Sequence, residues 1–174
     1  MKISLYILIA ASIFLLGFST ARKTDASLIE NKKMTQVGII VDDIEKAAEA
    51  WSDFLGMDET PRISIAEGHE SKPTVFRGNP SDAKARLAFF QLDNITIELI
   101  EPLEGSSTWR EFLEEQGPGI HHIAFEVDNM DRSVQLFGEA GIPEVQNGGW
   151  GTGEYAYMDG SGSLELIIEL LENY

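Results

Sequence analysis

The sequence predicts an α+β fold built from two tandem βαβββ modules. Three observations carry that expectation. The segment Gln36-Val37-Gly38-Ile39-Ile40-Val41-Asp42-Asp43-Ile44-Glu45-Lys46 returns as His122-Ile123-Ala124-Phe125-Glu126-Val127-Asp128-Asn129-Met130-Asp131-Arg132, with two positions identical and most others exchanged like for like. Thr96-Ile97-Glu98-Leu99-Ile100-Glu101 returns as Ile167-Ile168-Glu169-Leu170-Leu171-Glu172, with four of six positions identical. Each half, finally, reads in the order strand, helix, three strands.

The first module starts at Met34. Gln36 to Val41 is rich in β-branched residues and reads as a strand. Asp42 or Asp43 then caps a helix whose apolar positions, Ile44, Ala47, Ala48, Trp51 and Leu55, recur with a 3.6-residue period, and Gly56 ends it. Ile63–Ile65 and Thr74–Phe76 are short strand candidates, with loops over Glu67 to Pro73 and Gly78 to Lys84. Arg86 to Leu92 and Ile95 to Ile100 form a hairpin about the turn Asp93-Asn94. A connecting helix follows, with capping-box spacing at Thr108 and Glu111 and a stop at Gly117-Pro118-Gly119.

The second module repeats the pattern. A strand covers Ile120 to Val127. A helix from about Asn129 has Met130, Val134 and Phe137 on one face and ends at Gly141. Asn147 to Gly153 reads as a glycine-rich loop, and Tyr155 to Met158 and Leu164 to Leu171 are strands. Gln36 to Glu98 spans 62 positions and His122 to Glu169 spans 47, so the first module is 15 residues longer in its loops.

Residues 1–21 have the marks of a targeting segment: Lys2, an almost unbroken apolar run from Ile3 to Phe18, and small residues at Ser19-Thr20-Ala21. A cleaved signal peptide is the expectation, and with it export to a periplasm or the exterior. An uncleaved membrane anchor is the alternative, though a span needs about 20 apolar residues. Residues 22–33 read as a polar linker. That leaves 34–174 as a single domain: one module over 34–104, a connector over 105–119 and a second module over 120–174. The chain has no cysteine, which excludes disulfides and a lipoprotein signal. Its 13 basic and 29 acidic residues give a net charge of −16. That balance argues against nucleic acid, and against an anionic membrane surface beyond the N-terminal segment, as a partner.

The repeat also aligns chemistry, since Gln36 falls on His122 and Glu98 on Glu169. Side chains alternate along a strand, so Gln36 shares a face with Gly38 and Ile40, and Glu98 shares one with Thr96 and Ile100. His122 goes with Ala124 and Glu126, and Glu169 with Ile167 and Leu171. A carboxylate among apolar neighbours on an inward face needs a partner, because an unpaired buried charge is costly. A divalent cation is one such partner, and one His, one Gln and two Glu form a plausible nitrogen and oxygen ligand set. The bland readings are an outward or ion-paired glutamate and a satisfied core histidine beside His121. The internal symmetry of the four positions favours the metal.

At these residues the chain resembles the vicinal oxygen chelate superfamily, and most closely its glyoxalase I and methylmalonyl-CoA epimerase branch. Gln36 to Ile44, Ile97-Glu98-Leu99-Ile100-Glu101-Pro102-Leu103 and Gly119 to Asp128 carry the likeness, which extends over Met34 to Tyr174. It implies an open, U-shaped mixed sheet around one metal site. Gln36, Glu98, His122 and Glu169 fall on the superfamily's ligand positions for one divalent ion: zinc, nickel, cobalt or manganese. Glu165 is a rival for Glu169 if both lie on one strand face.

The implied activity is isomerase or lyase chemistry. A proton moves next to a carbonyl of a small-molecule substrate, through a metal-bound enolate or enediolate, with Glu169 as first choice of base and Glu98 as second. Many members pair as homodimers. Two features depart from the branch: Arg86 to Leu92 holds no acid, and basic residues able to grip a coenzyme are few, with Arg77, Lys84, Arg86 and Arg110 the candidates. Two further readings stay open. An exported metal-free small-molecule binder would use the same fold. An iron dioxygenase would need a second histidine where Gln36 stands.

Overall fold

The computed structural model describes residues 27–174; the expected signal segment lies outside the described residues. Ten strands and four helices follow one another. They are β1 (Met34–Ile40), α1 (Ile44–Leu55), β2 (Ser64–Glu67), β3 (Val75–Phe76), β4 (Asn79–Pro80), β5 (Lys84–Gln91), β6 (Thr96–Pro102), α2 (Thr108–Gln116), β7 (Gly119–Glu126), α3 (Met130–Glu139), β8 (Glu144–Trp150), β9 (Gly153–Asp159), α4 (Ser161–Leu164) and β10 (Ile167–Asn173). The strands make one open, curled sheet in the order β2-β5-β6-β1-β7-β10-β9-β8-β3-β4. β2-β5-β6-β1 comes from the N-terminal part of the chain and β7-β10-β9-β8 from the C-terminal part, so the sheet has two four-strand halves. They join along the antiparallel pair β1–β7.

Alternation along the strands sorts the core. On β6, Ile97 and Leu99 face α1 and pack with Ile44, Ala48 and Phe90. On β10, Ile168 and Leu170 face α3 and pack with Met130, Phe137 and Met158. Each module thus buries one helix against its outer face, as a helix with a single apolar stripe requires. The intervening residues Glu98 and Glu169 turn to the inner face. Leu28 and Ile29, in the segment read as linker, pack against the second module's cluster. Among the described residues no helix is long and apolar enough to cross a membrane.

Four sequence expectations need correction. Residues of the supposed loop Asn147 to Gly153 extend a strand, β8, which pairs with β9 from Glu144 to Trp150. Gly148 and Gly149 hid it, because glycine carries little strand propensity, yet a Cβ at Gly148 would stand 2.9 Å from the Tyr155 ring. The connecting helix is capped one residue early: Ser107, and not Thr108, accepts from the Arg110 backbone N–H at 3.1 Å. Thr108 instead gives its backbone N–H to Gln146 at 2.8 Å. The third difference is long-range. β3 pairs with β8 of the other module, with Val75 opposite Asn147, and β4, read as loop, folds back on β3. The extra length of the first module therefore reaches across to the far sheet edge. Finally, Glu165 lies outside β10, in a left-handed conformation (φ 63°) that closes α4.

Candidate metal centre

The four symmetric candidates meet at the middle of the sheet. β1 and β6 set Gly38 opposite Glu98, and β1 and β7 set Gly38 opposite His122 and Gln36 opposite Ala124. β7 and β10 set Ala124 opposite Glu169. Each carboxylate, and each of Gln36 and His122, thus stands across from a small residue that leaves it room. A Cβ on Gly38 would come within 2.0 Å of the His122 ring, so only glycine fits there. A glycine inside a strand is the sequence signal for such a close approach.

Glu98, His122 and Glu169 are 6%, 0% and 4% exposed, and one ligand atom from each lies within 4.8 Å of the others. His122 Nε2 stands 3.1 Å from Glu169 Oε2 and 3.5 Å from Glu98 Oε2. It is aligned with neither for a hydrogen bond and has no other partner. Gln36 Nε2 donates to Glu98 Oε2 at 2.5 Å and reaches Glu169 Oε2 at 3.4 Å. Burial, and then the charge of Glu169, push the Glu98 carboxyl well above the usual range, opposed by the Gln36 hydrogen bond. No lysine or arginine among the described residues is paired with either acid. Two buried carboxylates, a ring nitrogen without a partner and an amide that can turn its oxygen inward are what a divalent cation would satisfy. The residues present therefore fit the metal site that the sequence resemblance implies.

His121 sits behind the centre. Its Nδ1 lies 3.0 Å from His122 Nδ1, so one proton must be shared between the two rings. Burial, and then His122, hold His121 well below the ordinary histidine range, which keeps it neutral and able to accept. A histidine that offers Nε2 to a cation carries its proton on Nδ1, and such a ligand usually donates that proton to a fixed acceptor. His121 supplies the acceptor here.

Gln36, Glu98 and Glu169 open onto a cavity of about 550 Å³. Trp109, Tyr155 and Tyr157 form its aromatic wall, with Trp109 Nε1 donating to the Tyr157 hydroxyl at 2.9 Å. Burial pushes the Tyr155 phenol up to about 12. Leu87 and Phe89 of β5 point inward where the resemblance allowed for an acid, and Glu126 stands in the lining. Glu165 lines a separate depression beside Arg77 and Glu111, so it is no rival to Glu169. None of Arg77, Lys84, Arg86 and Arg110 lines the cavity.

Comparison with known proteins agrees with this architecture. The chain is 30% identical over 103 residues to the mitochondrial methylmalonyl-CoA epimerase of Homo sapiens, covering 59% of this chain and 50% of that protein. It is 29% identical over 107 residues to the uncharacterized protein YqjC of Bacillus subtilis, covering 62% of this chain and 66% of that protein. The chain thus spans about half to two thirds of these curated relatives. The crystal structure of methylmalonyl-CoA epimerase from Mycobacterium tuberculosis has the same fold, with a TM-score of 0.55 at 22% identity over 88% of this chain and 95% of that one. Residues 35–158 match the model of the glyoxalase/bleomycin resistance protein/dioxygenase superfamily, and the chain belongs to that superfamily.

Proposed function

We propose that this chain is a metal-dependent enzyme that moves a proton on the carbon next to a carbonyl group. The observation that carries the proposal is the pair of buried carboxylates, Glu98 and Glu169, converging with His122 and Gln36 beside a cavity of about 550 Å³. Gln36, Glu98, His122 and Glu169 would hold the ion. When bound, a divalent ion there would act as a Lewis acid toward the carbonyl oxygen and acidify the neighbouring C–H bond. Relatives of this chain are named as methylmalonyl-CoA epimerases, which supports the reaction class.

The chain's own residues divide the proton work. Glu98 is tethered by the Gln36 amide at 2.5 Å, whereas Glu169 is reached only at 3.4 Å. Glu169 is the less tethered of the two, so it is free to turn and take the proton from carbon while the C–H electron pair moves toward the carbonyl oxygen. Glu98, the second carboxylate of the pair, is placed to exchange a proton with solvent and return it to carbon. Return to the opposite face epimerises the carbon, and return to the adjacent carbon isomerises the substrate. Trp109, Tyr155 and Tyr157 form the wall beside that exchange.

The experiment is proton NMR of carbonyl substrates in deuterium oxide with the full chain loaded with zinc, nickel, cobalt or manganese. Deuterium should enter only at the carbon next to the carbonyl, and Glu169→Gln should slow entry by about 100- to 10,000-fold, the usual weight of a general base. Exchange that survives unchanged in both Glu169→Gln and Glu98→Gln contradicts the proposal.

A further inference from the structure

The walls of the cavity also bear on what it accepts. No lysine, arginine or histidine is among the residues that line it, while Glu67 and Glu126 add two exposed carboxylates, the first of them paired with Lys84 at 3.5 Å. Three basic side chains outside it are engaged elsewhere. Lys84 is held between Glu67 and Glu104, and Lys72 by Glu154. Arg86 is forked between Glu45 and Glu101. At the mouth, Ile65, Phe89 and Trp150 remain 57%, 37% and 37% exposed while lining the cavity. Half-wetted apolar side chains at the edge of a pocket mark where a ligand covers them. With the buried pair balanced by a divalent ion and Glu67 by Lys84, the exposed Glu126 is the carboxylate left facing the opening, and it opposes a like-charged ligand.

We infer, building on the proton-transfer reading of the same cavity, that the substrate is a compact, uncharged carbonyl compound with an aromatic or apolar body, and not a phosphate-bearing coenzyme thioester. Its carbonyl end lies over Glu98 and Glu169, and its body lies between the Tyr155 and Trp109 wall and the Phe89 and Trp150 mouth. A cavity of about 550 Å³ is of the size that encloses a small molecule whole. The nucleotide half of a coenzyme would have to leave past Glu67 or Glu126 with no cation on the described lining to receive it.

The test is calorimetric titration of the full chain with three probes. They are phenacyl alcohol, acetyl-CoA, and S-acetyl-N-acetylcysteamine, which keeps the thioester of acetyl-CoA without its phosphates. Phenacyl alcohol should bind and be weakened about tenfold or more by Trp150→Ala, the loss of one well-covered aromatic contact. Acetyl-CoA should bind no tighter than the neutral thioester, and added salt should strengthen it by screening the repulsion. Glu67→Lys combined with Glu126→Lys should raise its affinity about tenfold. Failure of phenacyl alcohol to bind overturns the inference, as does acetyl-CoA binding about tenfold or more tighter than the neutral thioester. Binding is read without turnover, so the two readings fail separately. Phenacyl alcohol that binds without taking up deuterium contradicts the proton-transfer reading alone. Deuterium exchange on a tightly bound acyl-CoA supports that reading and overturns this one.

Discussion

Gly38 shows how a single position fixes the centre. The His122 imidazole occupies the volume a Cβ would need there, at 2.0 Å, so Gly38→Ala must move either the ring or the strand. Overpacking of that kind costs about 1–3 kcal/mol; we expect a loss of that order in chemical denaturation, together with loss of metal uptake in a metal titration. Glu98 has a pH signature. Its carboxyl is raised in the folded state by burial and then by Glu169, so above the ordinary glutamate range the unfolded chain gives up its proton first. Metal-free protein therefore loses stability as pH rises from the ordinary glutamate range toward neutrality, and Glu98→Gln should flatten that slope in thermal denaturation followed against pH. Saturation with a divalent ion should reverse the trend, because the ion competes with that proton. Aligning two similar segments singled out Gln36, Glu98, His122 and Glu169 together, and the structure sets their side chains next to one another. Gly38, His121 and the aromatic wall were not singled out, because what sets them apart is which side chain stands behind or opposite them. Strand pairing decides that, and a single strand does not disclose it.

At the scale of elements, the duplicated helix starts are the most readable feature. Asp43 accepts from the Lys46 backbone N–H at 3.1 Å, and Asn129 accepts from that of Arg132 at 2.8 Å, at equivalent positions of the repeat. Asp43→Ala and Asn129→Ala should each cost about 1 kcal/mol in denaturant melts, nearly alike in the two modules. Phe137, 2% exposed beneath α3, is a deeper test of the second outer core, and Phe137→Ala should cost about 3–5 kcal/mol in the same measurement. Strands with alternating or β-branched sequence were visible, and so were the turns between them. β8 was not, since Gly148 and Gly149 suppress its propensity and its strand state comes from pairing with β9 and β3. Tertiary context overrides local preference most readily at such positions.

For the whole molecule, the two halves are too interlocked to melt apart. β1–β7 joins them at the centre, and β3, from the first module, lies on β8 of the second. Unfolding should therefore be one transition, coincident by near- and far-ultraviolet circular dichroism; two separated transitions would contradict the shared sheet. The α+β class could be read from the sequence, because helical and strand periodicities alternate along it. The crossing of β3 could not, because no copy of it exists in the second half to reveal its partner. The central claim is that the meeting point of the two halves holds a metal for proton transfer, and it is tested most directly by metal content. Mass spectrometry of the full chain, offered zinc, nickel, cobalt and manganese in turn, should find about one divalent ion per chain, as four ligands around one point require, and His122→Ala should lose it. No ion in either protein, or an ion retained unchanged in His122→Ala, would contradict the account.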